Sequence, residues 1–307
     1  MAEITASMVK DLRDKTGAGM MDCKKALSET GGDLEAAVDW LRAKGIAKAA
    51  RKASRVAAEG LIGLAAESRR AALVEVNSET DFVARNPDFQ AMVNAIAAAA
   101  LKSKGDVEAL RAAPYQGSGP SIADKLSEMV ATIGENMNLR RVAVLSVDQG
   151  VIGAYLHNQI APGLGKIGVL VAVESAASPE KLAGFARQLA MHVAATNPVA
   201  LDLSGVAPEV LEREKAILAE KNAGKPANVL QRIFESGLKS FAKDHTLLEQ
   251  AYVHDGTKSV AQVLKETEAQ NGSPVKILGF VRFQLGEGIE KETGDFAAEV
   301  AKAAQGS

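Results

Sequence analysis

One segment has the glycine spacing of a phosphate-binding loop. Gly163, Gly165 and Gly168 match the pattern GxGxxG, which binds a dinucleotide where the glycines lead from a strand into the N-terminus of a helix. In this chain the run from Ile167 to Val173 comes next, and its β-branched residues are typical of a strand. Because no helix follows the glycines, we interpret the match as coincidental. Neither GxxxxGKS nor GxxxxGKT, the phosphate-loop patterns, occurs.

Side chains that could serve as nucleophiles or metal ligands are few. Cys23 precedes Lys24 and Lys25, whose charge would lower the pKa of its thiol, but no histidine is near it in the sequence. Its helical position predicts an ordinary buried cysteine. The histidines lack the spacing of metal ligands: His157, His192, His245 and His254. We predict that His192, in an alanine-rich helix, is a core residue, and we expect no catalytic residues, metal or cofactor and therefore no enzyme.

A polar segment at the end of an apolar strand is the strongest candidate for function. The strand reads Ala72-Leu-Val-Glu-Val76, and a turn over Asn77–Glu79 leads to Thr80, Asp81 and Phe82. Thr80 can cap the helix that follows, and Asp81 lies where the helix dipole favours a negative charge. Phe82 either folds back into the core or stands out as a wedge for another molecule. Its hydrophobicity alone favours the core.

Composition excludes several classes of protein. The 307 residues suffice for two or three compact units. The formal net charge of −2 argues against general binding of nucleic acid. One cysteine excludes an internal disulfide framework and fits a reducing compartment. Since the sequence shows neither a secretory signal pattern nor an apolar run long enough to span a bilayer, we expect a cytoplasmic protein without a membrane partner.

The N-terminal region, residues 1–55, predicts a three-helix domain followed by a basic linker. Thr5 and Asp33 suit the N-caps of the first and third helices. Met20 and Met21 are adjacent on the second helix, so at least one should be exposed, as in adaptable protein contacts.

The linker itself, residues 42–55, contains six basic residues and no acidic one. It is either a nucleic-acid or ribosome patch or a solvated linker helix. We favour the linker, because no aromatic residues are interleaved for base stacking.

A strand–strand–helix pattern occurs twice and indicates a duplicated α+β core with antiparallel sheets. The first copy lies in residues 56–139, and the second in residues 140–200 and 244–286. The predicted strands are Gly60–Leu64 and Ala72–Val76, then Gly150–Leu156 and Ile167–Val173, and each pair precedes a helix. A further strand, Leu139–Val147, leads into the second copy.

Two other modules complete the predicted organisation. Residues 201–243 read as a helical hairpin with a turn at Asn222–Pro226, and its apolar face packs on its own domain, on a partner or on a second copy. The run Val275–Leu285 is apolar on both faces, which predicts an interior strand. In residues 287–307, Asp295 suits the cap of a closing helix.

Across most of its length the chain resembles bacterial elongation factor Ts. The likeness begins with Met8-Val-Lys-Asp-Leu-Arg13 and Thr16-Gly-Ala-Gly-Met-Met-Asp-Cys-Lys-Lys-Ala-Leu27. It continues in Val76-Asn77, Thr80-Asp-Phe-Val83, Asn136–Val142, Ile167–Leu170, Met191-His192 and Gly286–Lys291. The resemblance implies a fold resembling the ubiquitin-associated (UBA) domain for the first three helices, two core subdomains, a coiled-coil or dimerisation-type hairpin and a C-terminal module.

The same resemblance implies guanine-nucleotide exchange on the GTPase elongation factor Tu, without covalent chemistry. In the family, the motif that corresponds to Thr80–Val83 inserts its Asp-Phe pair beside the Mg²⁺ site of the GTPase. The residues corresponding to Arg13, Met20 and Met21 dock near the same domain, and the histidine that falls on His157 acts near the phosphate side. This chain departs from the family there, since Asn158–Gly165 looks longer than the usual connection. A homodimer, or a heterotetramer with the GTPase, is a further expectation.

Two other functions remain open from the sequence. A ribosome- or RNA-associated factor would use residues 42–55. A ubiquitin-type adaptor would use the N-terminal domain but would leave the duplicated core unexplained.

Overall fold

The computed structural model describes residues 4–290. Three helices come first: α1 (Ala6–Thr16), α2 (Met20–Glu29) and α3 (Leu34–Lys52). Then follow β1 (Glu59–Ala66), β2 (Arg70–Ser78), α4 (Asp81–Ala84), α5 (Pro87–Ala100), α6 (Val107–Ala112), α7 (Ile122–Ile133) and β3 (Met137–Ser146). The remainder contains β4 (Gly150–His157), β5 (Leu164–Gly165), β6 (Ile167–Ser175), α8 (Pro179–Thr196), α9 (Pro208–Lys221), α10 (Ala227–His245), α11 (Val260–Asn271) and β7 (Val275–Gln284). The closing helix predicted after Asp295 lies outside the described residues.

The two N-terminal caps form as predicted. Thr5 accepts a hydrogen bond from the amide of Met8, and Asp33 accepts one from the amide of Ala36. A small core containing Leu12, Cys23, Leu27 and other residues lies between the three helices, with Trp40 partly buried against it. The third predicted helix continues into the basic linker as one helix, α3, which ends at Lys52. The likeness of this domain to ubiquitin-associated domains stays a prediction.

Both sheets are antiparallel, and each carries a helix on its outer face. The first has the strand order β3-β2-β1-β5, and the second has the order β4-β6-β7. Helix α5 packs Phe89, Val93 and Ile96 into the core of the first sheet, and α8 packs Leu189 and Val193 into the core of the second. The α+β class and the repeated strand–strand–helix pattern are therefore as the sequence predicts.

The inner faces of the two sheets pack against each other. Ile62 and Leu73 of the first sheet share one buried cluster with Ile152 and Leu170 of the second. A Cβ atom at Gly168 would lie 2.7 Å from side-chain atoms of both Ile62 and Leu73. The third glycine of the GxGxxG match therefore allows the two sheets to approach closely, in agreement with our interpretation of that match as coincidental.

Two strands take positions that the sequence did not predict. The strand expected to lead into the second copy, β3, pairs with β2 along its length and belongs to the first sheet. A boundary between residues 139 and 140 would therefore divide a strand. The strand predicted to be interior, β7, lies at an edge of its sheet, where β6 is central. Two of its apolar residues are nevertheless buried by other elements, since Phe283 lies between the sheets and Val275 lies in the α8 core, whereas Leu278 is exposed.

The helical hairpin is present as α9 and α10, joined by residues 222–226. Its helices approach closely, because a Cβ atom at Gly237 would lie 2.3 Å from Cδ1 of Leu218. No residue of α9 is buried, and Ala242, near the base, is the buried residue of α10. The hairpin therefore packs mainly on itself. That the hairpin forms a coiled coil with another molecule stays a prediction.

None of the helices within residues 4–290 is long and apolar enough to cross a membrane.

Candidate functional site

Phe82 lies on a single helical turn at the end of the central strand β2. Its side chain is 76% exposed, whereas that of Val83 is 3% exposed. Val83 and Ala84 belong to the core cluster of the first sheet and occupy the inward side of α4. The preference for a buried Phe82, drawn from hydrophobicity alone, is therefore wrong. The wedge orientation implied by the family resemblance agrees with this exposure.

Thr80 occupies the N-cap position of α4 but does not cap it. Its side chain accepts no bond from the helix. Instead its hydroxyl donates to Oε1 of Glu135 at 2.6 Å, and its backbone amide donates to Oε2 of the same carboxylate at 2.9 Å. The predicted capping bond is therefore wrong, and the side chain of Thr80 is bound to the carboxylate of Glu135 instead. The strand also continues to Ser78, so Asn77 and Ser78 are not part of a turn.

Asp81 lies in the first turn of α4, as the sequence predicts. One carboxylate oxygen lies 3.6 Å from Nη2 of Arg85, one helical turn further on, and both side chains are well exposed. An exposed ion pair of this kind contributes little stability. The carboxylate of Asp81 is therefore accessible beside Phe82.

A second polar contact joins the same two segments. Oε1 of Glu79 accepts the backbone amide of Asn136 at 2.5 Å, while the side-chain amide of Asn136 donates to the carbonyl of Arg55 at 2.7 Å. Each segment thus offers a glutamate to a backbone amide of the other. Sequence reasoning assigned no role to Glu135 or Asn136. The resemblance included Asn136, but nothing local in the sequence predicts that Glu135 contacts Thr80 or that Asn136 contacts Glu79.

Arg13, Met20 and Met21 are exposed around the turn between α1 and α2. The turn is made possible by Gly17, whose φ of 67° is left-handed and whose amide donates to the carbonyl of Arg13 at 2.7 Å. The prediction that at least one methionine is exposed is confirmed, and both are. Within the described residues, no hydrogen bond or ion pair joins this group to the segment 80–83.

The basic stretch of α3 connects the N-terminal domain to the core. Arg42 pairs with Asp124 of α7 at 2.7 Å, and the ammonium of Lys52 contacts the carbonyl of Gly134. Lys48 pairs with Asp22 of α2, and Arg55 pairs with Glu79. Four of the six basic residues therefore contact other elements of the chain, while Arg51 and Lys44 contact Ala47 and Trp40 within α3. The solvated-linker interpretation needs correction. The stretch is a docked helix.

His157 ends strand β4 and is exposed. Its Nδ1 lies 3.1 Å from the hydroxyl of Tyr155. The connection that follows contains β5, which pairs with β1. Beyond it, Nζ of Lys166 lies 3.2 Å from Oε2 of Glu59. An open groove of about 580 Å³ lies here, lined by residues that include Asn158, Ile160 and Lys166. His157 belongs to the second sheet, and no described hydrogen bond links it to the segment 80–83.

The two candidate reactive side chains are structural. Cys23 is buried, and burial raises the pKa of its thiol, which donates to the carbonyl of Ala18. His192 is also buried, which lowers the pKa of its imidazole. Both predictions of core residues are confirmed. Within residues 4–290, no three His, Cys, Asp or Glu side chains are grouped so that they could hold a metal ion.

Comparison with known proteins shows the family to which the chain belongs. The family model described as "Elongation factor TS" matches residues 79–287, a range that begins at Glu79. The Elongation factor Ts of Methylobacterium sp. (strain 4-46) is 66% identical over 307 residues, which is all of both chains. The Elongation factor Ts of Xanthobacter autotrophicus is 63% identical over 304 residues and that of Azorhizobium caulinodans 61% identical over 304 residues, in each case 99% of both chains. The chain therefore belongs to the elongation factor Ts family.

Proposed function

We propose that this protein is a guanine-nucleotide exchange factor for elongation factor Tu in translation elongation. It binds the GDP-loaded GTPase, disturbs the Mg²⁺ and phosphate site, promotes GDP release and is displaced as GTP enters. The observation that carries the proposal is Phe82, a large apolar side chain that is 76% exposed on a turn anchored at both ends. An exposed aromatic residue on a fixed turn is typical of a side chain that is buried in a partner.

Phe82 acts as the wedge and Asp81 as its polar companion. Exchange breaks no covalent bond, so the factor needs contacts that are stronger in the transition state for GDP release than in the GDP complex. A thousandfold acceleration needs about 4 kcal/mol. Burial of one phenylalanine side chain contributes about 1.5–3 kcal/mol. Phe82 therefore supplies much of this free energy, and a broader interface supplies the rest.

Two further surfaces contribute to that interface in our proposal. Arg13, Met20 and Met21 form an exposed contact on the N-terminal domain, where methionine side chains adapt to a partner surface. His157 provides a third contact from the second sheet, near the groove at Lys166. The hairpin of α9 and α10 leaves Val210, Ile217 and Val229 exposed. It is the part of the chain that we assign to a homodimer or to a heterotetramer with the GTPase.

Release of a fluorescent GDP analogue from elongation factor Tu tests the proposal directly. The wild-type factor should accelerate release strongly, and Phe82→Ala should reduce the rate at saturating factor by about 10- to 100-fold. Met20→Ala with Met21→Ala should instead raise the concentration needed for half-saturation. Excess GDP should weaken binding of the factor, since the coupling between the two ligands is reciprocal.

Glu128→Ala is the matched control, because Glu128 is exposed on α7 and pairs with Lys125 alone among the described residues. It should release GDP at the wild-type rate. If the wild-type factor leaves release unchanged, the proposed function is wrong. If Phe82→Ala keeps the wild-type rate, the wedge mechanism is wrong although the function stands.

A further inference from the structure

The carboxylate of Glu135 binds both the backbone amide and the hydroxyl of Thr80, two positions before Phe82. We propose that Glu135 is the positioning residue for the exchange wedge, which holds the turn from Thr80 to Val83 so that Phe82 projects from the surface. This inference rests on the proposed exchange function. Glu135 forms no hydrogen bond with Phe82 among the described residues. It acts through Thr80.

The bonds to Thr80 restrain both its backbone and its side chain. Oε2 accepts the amide at 2.9 Å and Oε1 accepts the hydroxyl at 2.6 Å. Two bonds from one residue to a charged acceptor restrict the rotation about χ1 as well as the direction of the peptide plane. Thr80 is thus held in the extended conformation observed, with φ −123° and ψ 160°.

Helix α4 needs such a restraint because it is a single turn. Its four residues, Asp81–Ala84, are far fewer than an isolated helix requires for stability in water. On the far side of Phe82, Val83 is held in the core and the carbonyl of Ala84 accepts a bond from Gln90 at 2.9 Å. On the near side, the carboxylate of Glu135 holds Thr80. Removal of Glu135 would free the amide and the hydroxyl of Thr80, while the carbonyl of Thr80 would still accept the hydroxyl of Ser78 at 3.0 Å.

Glu135 is itself fixed by its neighbours. Gly134 ends α7 with a left-handed φ of 92°, and its carbonyl contacts the ammonium of Lys52. Asn136 donates its amide to Glu79 and its side chain to Arg55. The carboxylate is therefore held between the end of α3 and the end of β2, at the point where the N-terminal domain joins the core.

The test compares Glu135→Ala, Glu135→Gln and the control Glu128→Ala in the full chain. Glu135→Ala should slow GDP release at saturating factor by about tenfold, below the effect of Phe82→Ala, because it misplaces the wedge without removing it. Glu135→Gln should stay within about threefold of wild type, since its carbonyl can still accept the Thr80 amide. Glu128→Ala should match wild type.

Two readouts separate positioning from a general loss of structure. Amide hydrogen exchange at Thr80 should be faster in Glu135→Ala and near wild type in Glu135→Gln. In the Phe82→Ala background, Glu135→Ala should slow release much less than it does in the wild-type background, because the wedge is absent and Asp81 alone remains to be positioned. If Glu135→Ala fails to fold, Thr80→Val removes the hydroxyl bond alone and should slow release by a few-fold.

Several outcomes would overturn the inference. Glu135→Ala could release GDP at the wild-type rate, or it could slow release equally with and without Phe82. Unchanged exchange of the Thr80 amide in Glu135→Ala would do the same. If the wild-type factor itself does not accelerate release, the proposed function fails and the inference fails with it, a result that is distinct from failure of the variant alone.

Discussion

Phe82 and Val83 are consecutive residues with opposite environments. Phe82 is 76% exposed, and Val83 is 3% exposed within the core of the first sheet. In a single helical turn, successive side chains point about 100° apart, and α4 is oriented so that Val83 and Ala84 face the sheet while Phe82 faces solvent. The smaller residue takes the core position, which leaves the larger one available to a partner.

Phe82→Ala should therefore change stability much less than Val83→Ala. Phe82→Ala should change the free energy of unfolding by less than about 0.5 kcal/mol, since the side chain is mainly in solvent. Val83→Ala should lower it by about 1–3 kcal/mol through lost burial and a cavity. Urea unfolding followed by circular dichroism measures both. A large loss of stability in Phe82→Ala would mean that Phe82 belongs to the core.

Gly153 allows β4 to lie directly against α8. A Cβ atom at this position would come within 2.2 Å of the carbonyl oxygen of Ala186. Gly153→Ala must push the helix away, and we expect a loss of about 1–3 kcal/mol. Gly279→Ala is the matched control in strand β7, because a Cβ atom there meets no atom within 4 Å. Thermal unfolding should leave the Gly279 variant within about 1 kcal/mol of wild type.

Glu75 connects β2, β3 and the end of β7 through one buried carboxylate. It accepts hydrogen bonds from Arg140, Arg141 and the amide of Gly286. Strand β3 has a bulge opposite Glu75, where the pairing moves from Arg141 to Leu139 and Arg140 is the extra residue. Both arginines therefore reach the carboxylate. Glu75→Gln places an amide group against these donors and should cost about 1–3 kcal/mol, the arginines being partly solvated. Glu212→Gln, at the exposed pair with Lys215 on α9, should cost less than about 0.5 kcal/mol.

The same carboxylate predicts an acid-dependent loss of stability. Burial alone would raise the pKa of Glu75, but the Gly286 amide, Asn77 and Arg141 outweigh it, so the pKa lies below its usual 4.5. The unfolded chain therefore takes up the proton first as the pH falls. The stabilisation is fully present above pH 4.5 and is lost as the pH falls through the folded pKa. Glu75→Gln should lack this part of the pH dependence when unfolding is measured between neutral and acidic pH.

His192 predicts a second pH dependence in a higher range. Its Nδ1 accepts the amide of Val253 at 3.2 Å, and Nε2 lies 3.0 Å from the side-chain oxygen of Gln250. A proton on Nδ1 would place two donors face to face. Burial, with His254 adding to it, lowers the pKa below its usual 6.5 despite the bond to Gln250.

Because the unfolded chain binds this proton more readily, stability should fall as the pH drops below 6.5 toward the folded pKa. His192→Gln should have a smaller slope of unfolding free energy against pH in that range. An unchanged slope would show that His192 does not titrate differently in the two states.

Local patterns of the sequence determined the elements of this protein. The caps at Thr5 and Asp33, the strand–strand–helix pattern and the two helices of the hairpin depend on residues within a few positions of one another. Hydrophobic periodicity and capping chemistry act over that range. The burial of Cys23 and His192 followed from the same patterns, and extended motifs were enough to indicate the family.

Tertiary structure alone decided how the candidate site is presented. Thr80 exchanged its expected cap for Glu135, which lies 55 positions away. Phe82 was left outside because Val83 filled the core, and β3 joined the first sheet through pairing with β2. Secondary-structure propensity is set by neighbours in the chain. Side-chain exposure and strand pairing depend instead on which distant groups pack together in the folded protein. The direction of Phe82 is therefore a property of the folded protein.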